Sequence, residues 1–271
     1  MKNKFQLTIT HLYPQEMNLY GDLGNITTLR RRANLRGIEV KLVDVGVGHE
    51  LQPGQTDLYF FGGGQDKQQV QIAEDIIKLK KNALLEDLEN EVAALAICGG
   101  YQLLGRYYLA ANGERAEGIG FFPIETVAPG PDVKQRCIGN ISTHLVHDQT
   151  IQQVKKYYDY KSQEVNIELL LTLVGFENHG GRTRLLTDEN LHLSKVIKGI
   201  GDSEDQGFEG LRYKNAFGSY MHGSFLPKNP HVADLLISLA LERKYGNEFK
   251  ALENLDDKLD WKAHRKALKL I

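Results

Sequence analysis

Cysteine is nearly missing. Two in 271 residues cannot make a disulfide framework. Charge of one sign is missing too: the formal net charge is −2, so no basic or acidic excess points to nucleic acid or an acidic membrane surface as partner. The opening MKNKFQLTITHLYPQ has a short apolar stretch and then turns polar, so it is read as neither a signal peptide nor a membrane span, and a cytoplasmic location is the expectation. The chain has no G-x-x-x-x-G-K-[ST] phosphate loop or other nucleotide motif, no repeat, no low-complexity tract and no obvious linker. What is there suits a soluble globular protein: 41% hydrophobic and 25% charged residues, in a length that allows one large or two small domains. With no linker, one domain is favoured.

The first half alternates strand and helix patterns. Strands are expected at 5–13, 38–45, 56–64 and 92–97, and helices at 25–37, 65–91 with a break near Asn82, and 101–110. VAALAI (92–97) is apolar throughout, as a parallel strand buried on both faces should be. This order predicts an α/β fold with a mostly parallel central sheet. The second half shows strands at 136–146, 165–178, 207–215 and 216–221 without regular crossovers. The polar, tyrosine-rich stretch 146–164 reads as an insertion, helical in part. An amphipathic helix is expected at 230–246, and a last helix with a solvated face at 253–271.

LAICGGYQLLG (95–105) puts Cys98 between an apolar strand and a helix, beside two glycines. Cys98 is either a small buried hydrophobe or a nucleophile raised on a strand–turn–helix elbow. In the second case the helix N-terminus favours a thiolate and any oxyanion formed beside it.

Context favours the nucleophile. ICGGYQLLG resembles the C-x-G-x-Q segment of class I (triad-type) glutamine amidotransferases, with Cys98, Gly100 and Gln102 in place. FFGGGQD (60–66) resembles their glycine-rich oxyanion loop. GFENHGGRT (175–183) and GSYMHGSFLPKNP (218–230) resemble the cobyric acid synthase-like branch, and MNLYGDLGNITTLRRRA (17–33) adds a likeness to the amidotransferase subunits of lipid II isoglutaminyl synthases within it. The resemblance spans 5 to about 245. It implies a three-layer, flavodoxin-like amidotransferase domain at 1–246 with a polar insertion at about 147–164, and a helical extension at 247–271. It also implies roles. Cys98 attacks the glutamine carboxamide, and His222 acts as base and later acid. Backbone N–H groups of Gly63 or Gly64 and of Gly99 hold the oxyanion. Arg136 binds the α-carboxylate, the alternative being a surface arginine at a strand start. Gln102 either contacts substrate or caps the following helix. His179 shapes the site, and Cys137 is structural. No metal is expected at His144 and His147.

One departure matters. Class I enzymes carry H-x-E, but Ser224 stands two residues after His222. The chain therefore shows a Cys–His dyad, and its third group must come from elsewhere in the chain or from a partner. A partner lending an Asp or Glu is the expectation, with weak activity in the isolated chain. Without a nucleotide motif the chain makes ammonia and cannot activate an acceptor. The resemblance supplies the rest: no cofactor in this chain, ATP and Mg on a Mur-ligase-like (MurT-like) synthetase partner, L-glutamine as substrate, and lipid II, reached through the partner, amidated at D-glutamate to D-isoglutamine. Two alternatives stay open: another carboxylate acceptor such as a cobyrinate-type corrinoid, and a non-catalytic binding or regulatory module.

Overall fold

The computed structural model describes residues 5–19, 21–130, 136–222 and 225–270. The first half runs β1 (Phe5–Leu12), α1 (Leu23–Asn34), β2 (Ile38–Val45), β3 (Leu58–Phe61), α2 (Asp66–Asp75), a π-turn (Ile76–Lys80), α3 (Lys81–Glu89), β4 (Ala93–Ile97) and α4 (Gly99–Leu104). The second half runs β5 (Tyr107–Leu109), β6 (Arg115–Glu117), β7 (Ile124–Val127), β8 (Cys137–Leu145), α5 (Asp148–Tyr157), α6 (Ile167–Leu170), β9 (Thr172–His179), β10 (Arg182–Leu185), β11 (His192–Lys198), β12 (Phe208–Tyr213), β13 (Ala216–Ser219), β14 (Met221–His222), α7 (Phe225–Lys228), α8 (Pro230–Tyr245) and α9 (Lys258–Leu270).

Ten strands form one sheet in the order β14-β9-β8-β11-β12-β13-β4-β3-β1-β2. β2, β1, β3, β4 and β13 pair in parallel, which is the α/β core that the alternating first half predicts. The other second-half strands extend it antiparallel. A small second sheet, β10-β7-β5-β6, stands apart.

The run AALAI is buried at every residue because β4 lies between β3 and β13, inside the parallel core. Its central place also fixes the site. Parallel strands end at one edge of a sheet, so the segments after β3, β4 and β13 emerge side by side.

The structure corrects several expectations. The helix expected at 101–110 stops at Leu104; Gly105 ends it and β5 follows. The strand expected from 165 starts at Thr172, because Asn166 accepts from the Leu169 N–H and opens the short α6. Helix α8 is not amphipathic. It is buried all round from Pro230 to Leu241, with β1, β3 and β4 beneath it and α1, α5 and α7 against its other sides. Helix α9 is not wholly solvated either: Trp261 and His264 are fully buried. The Trp261 ring stacks on His231 at 5.1 Å and its Nε1–H donates to the Tyr158 hydroxyl at 2.7 Å. α1 is held to α8 by charge. Arg32 makes paired hydrogen bonds of 2.7–2.8 Å with Asp234 and also binds Asp257 at 2.7 Å, all three side chains buried.

Candidate active site

Cys98 sits where β4 turns into α4, with φ 50° and ψ −105°. A side chain rarely adopts a positive φ, and holding one there costs about 1–3 kcal/mol. The surroundings impose it. The Cys98 N–H donates to the Ser219 carbonyl at 2.8 Å, and the Gly100 N–H to the Gly62 carbonyl at 3.1 Å. The elbow is thus pinned to the segments leaving β13 and β3.

His222 comes from β14, which pairs with β9, so that His222 lies opposite Phe176. It is fully buried. Its Nδ1 lies 3.2 Å from both carboxylate oxygens of Asp22, itself fully buried at the entry to α1. A carboxylate only accepts, so Nδ1 carries the proton and Nε2 is left for the thiol. The imidazole also lies beside Cys98, both side chains meeting over Gly63, so that the charge of one acts on the other. Burial pulls the His222 pKa down, but the Cys98 and Asp22 charges outweigh it and push it up to about 10. Those electrostatics favour an imidazolium held between the Asp22 carboxylate and the sulfur of Cys98. The expectation of an acid borrowed from a partner gives way here: Asp22 of this chain occupies the place. Ser224, where the departure was noticed, lies outside the described residues.

The glycine loop after β3 serves the same cluster. The Gly63 N–H donates to Asp22 at 2.8 Å, and a Cβ on Gly63 would run into His222 Cε1. Gly63 therefore orients the acid and lets the imidazole in; its N–H is not available to an oxyanion, which corrects that part of the expectation. Gly64 lines the cavity beside Cys98. Gly99, the first residue of α4, has an N–H with no acceptor inside its own helix. A Cβ on Gly99 would meet Met17 Cε at 2.7 Å.

A cavity of about 320 Å³ opens over Cys98. Arg136 stands on its wall, directed by Asn178, whose side-chain oxygen accepts from Nε at 3.2 Å. The register explains why two distant motifs meet: Cys137 lies opposite His179 and Ile138 opposite Asn178, so the Arg136 and ENHGG segments are neighbours. Gln102 also lines the cavity and is buried. It caps nothing; its Nε2 donates to the Tyr220 hydroxyl at 3.0 Å. His179 lines the cavity, donates from Nδ1 to the Gly181 carbonyl at 2.9 Å, and stacks on Tyr220 at 3.7 Å. Burial lowers its pKa, so it is a neutral, wall-forming ring. Cys137 is buried outside the cavity lining, and burial raises its thiol to about 11. His147 caps α5 by accepting from the Thr150 N–H. Among the described residues, no group of His, Cys, Asp and Glu is placed to hold a metal ion.

Asp22 is the residue that sequence reasoning missed. Its signal was the acid of YGDLGN, just before a helix and after the first core strand.

Comparison with known proteins agrees with this geometry. Residues 8–230 match the CobB/CobQ-like glutamine amidotransferase domain. The chain is 39% identical to the lipid II isoglutaminyl synthase (glutamine-hydrolyzing) subunit GatD of Streptococcus pneumoniae, over 91% of this chain and 85% of that protein. It is 35% identical to the subunit of the same name from Staphylococcus aureus, over 88% of this chain and 86% of that one. In fold it is similar to the structure of PurLQS from Thermotoga maritima, with a TM-score of 0.56 at 14% identity, covering 89% of this chain and 99% of that one. No helix among the described residues is long and apolar enough to cross a membrane. The chain belongs to the CobB/CobQ-like glutamine amidotransferase family.

Proposed function

We propose that this chain is the glutaminase subunit of a lipid II-amidating enzyme, hydrolysing L-glutamine and passing ammonia to a Mur-ligase-like partner in the cytoplasm. The observation that carries it is the alignment of Cys98, His222 and Asp22 at the cavity that Arg136 borders.

The chemistry follows from the atoms. Asp22 holds the Nδ1 proton of His222, and Nε2 takes the proton of the Cys98 thiol. The thiolate attacks the carboxamide carbon. The oxyanion is met by the N–H groups of Gly64 and Gly99, each such donor being worth roughly 10²–10³ in rate. On collapse, the imidazolium gives its proton to the leaving nitrogen, which departs as ammonia and leaves a thioester. His222 then takes a proton from water, the hydroxide adds, and the thiol is regenerated as glutamate leaves. Arg136 places the substrate by a guanidinium–carboxylate pair.

ATP and Mg are assigned to the partner, since this sequence has no phosphate loop. The acceptor, the D-glutamate α-carboxylate of lipid II, rests on the 39% and 35% identity to proteins so named. The test is reconstitution of the chain with a Mur-ligase-like partner, ATP, Mg, glutamine and lipid II. The expected result is glutamine-dependent amidation that Cys98→Ala removes and free ammonium restores. Ammonia from glutamine with no transfer to lipid II, but transfer to a corrinoid carboxylate, would move the acceptor. No ammonia at all would overturn the reading.

A further inference from the structure

The cavity has one wall rich in acceptors that the mechanism above does not use. Asp66, the first residue of α2, lines it, and so do Gln69 and Gln102. The two glutamines are 2% exposed, and their Oε1 atoms have no hydrogen-bond partner among the described residues. Their orientation is set by the other half of each amide. Gln69 Nε2 donates to the Gly64 carbonyl at 3.3 Å, and Gln102 Nε2 to the Tyr220 hydroxyl at 3.0 Å. Each is thus left with a carbonyl and no donor, and a buried acceptor without a donor is costly. Asp66 is exposed at the rim, near enough for its charge to act on the Tyr108 side chain, which also feels Cys98 and Arg136. Lys67 shares the rim but makes no ion pair with Asp66 among the described residues. One carboxylate and two orphaned carbonyls ask for a compact cation with several N–H donors. Arg136, lining the same cavity, asks for an anion.

We infer that Asp66, with Gln69 beside it, is the subsite for the α-ammonium of the substrate, so that the cavity selects a free zwitterionic amino acid and rejects amides that lack the ammonium. The inference rests on the glutaminase reading and deepens it. It assigns Asp66 a role in specificity, where its place in the first turn of α2 offers a merely structural one, a carboxylate near a helix N-terminus.

The two roles separate by experiment. Binding of L-glutamine and of glutaramate, which is glutamine without its α-amino group, is measured by calorimetry on the full chain carrying Cys98→Ala, with and without Asp66→Asn. Glutamine should bind the parent about 10- to 100-fold more tightly than glutaramate. Asp66→Asn should weaken glutamine by a similar factor and change glutaramate less than about twofold, so that the preference disappears. A helix-end role would instead lower the melting temperature and leave the preference intact. Equal weakening of both ligands, or unchanged glutamine binding, overturns the subsite while leaving the glutaminase reading standing. Failure of the parent to bind glutamine overturns both.

Discussion

Replacing Asp22 with Asn keeps the shape of the site and removes its charge. The Asn carbonyl can still accept from Gly63, as Asp22 does at 2.8 Å. Its NH2 would then face Nδ1 of His222, where a carboxylate oxygen stands at 3.2 Å. Two donors cannot share that contact, so the neutral imidazole moves its proton to Nε2, the atom that must take the proton of Cys98. The loss has two parts. One hydrogen bond to a charged group is removed, roughly 1.5–3 kcal/mol. The wrong tautomer adds to it, and the analogous loss of an orienting acid reaches about 10⁴ in kcat. A fall of about 10²–10⁴ in kcat is expected, with KM for glutamine little changed.

The assay is glutamate release by the chain, alone and with its partner, together with the pH dependence of its melting temperature. The His222 pKa is raised to about 10 in the fold. A raised pKa on a base means that its protonated form contributes stability fully below about 6.5, and that this fades as pH rises toward 10. Asp22→Asn takes away part of the upward push. The stabilising window should therefore close at a lower pH. Undiminished turnover in Asp22→Asn would refute the reasoning, and would return the third catalytic role to a carboxylate outside this chain.

Cys98→Ser should abolish glutamine hydrolysis with the melting temperature unchanged, whereas Cys137→Ser, buried outside the cavity lining, should leave turnover intact; the check is glutamate release and thermal melting. Arg136→Ala should weaken glutamine binding about 10- to 100-fold while alkylation of Cys98 by a neutral reagent is kept, since the guanidinium touches Asn178 and not the thiol. Trp261→Ala should destabilise the fold by about 3–5 kcal/mol in denaturant titration, because the indole is fully buried against His231 and Tyr158.

Cys98 and the glycine loop were legible because their chemistry is local: an apolar strand, a turn and a helix within eleven residues. His222 was legible through its motif. The polar stretch 146–164 was rightly read as helical in part, since α5 occupies Asp148–Tyr157. Strands β5, β6, β7, β10 and β11 were not legible. Four of them are three or four residues long, and β11, His192–Lys198, alternates too weakly to stand out from the loops around it. Helix α8 misled for a related reason: a helix covered on all sides keeps no polar stripe, so amphipathicity was the wrong expectation for it. The Gly63 role was beyond reach because what decides it is the direction of one N–H, which no composition or spacing records.

Asp22 was missed for the most physical of these reasons. It is 200 residues from His222 in sequence, and only the sheet order brings them together. The acid follows the segment that leaves β1, the base closes β14, and the parallel core puts both at the edge where β4 delivers Cys98. A carboxylate on a loop would wander, so its precision must come from the helix behind it. That helix is fixed twice. Asn25, in its first turn, accepts from the Leu226 N–H at 2.9 Å, tying Asp22's helix to α7, a few residues after His222. Further along, Arg32 locks α1 to Asp234 of α8 and to Asp257 just before α9. Buried ion pairs contribute little net stability, because desolvation offsets attraction. What this one contributes is register: α1 cannot slide along α8 without breaking two charged hydrogen bonds to Asp234, and two more hold it to Asp257. The segment after residue 246 is therefore more than an appendage to the amidotransferase fold, since Asp257 helps to hold the helix that begins with the acid.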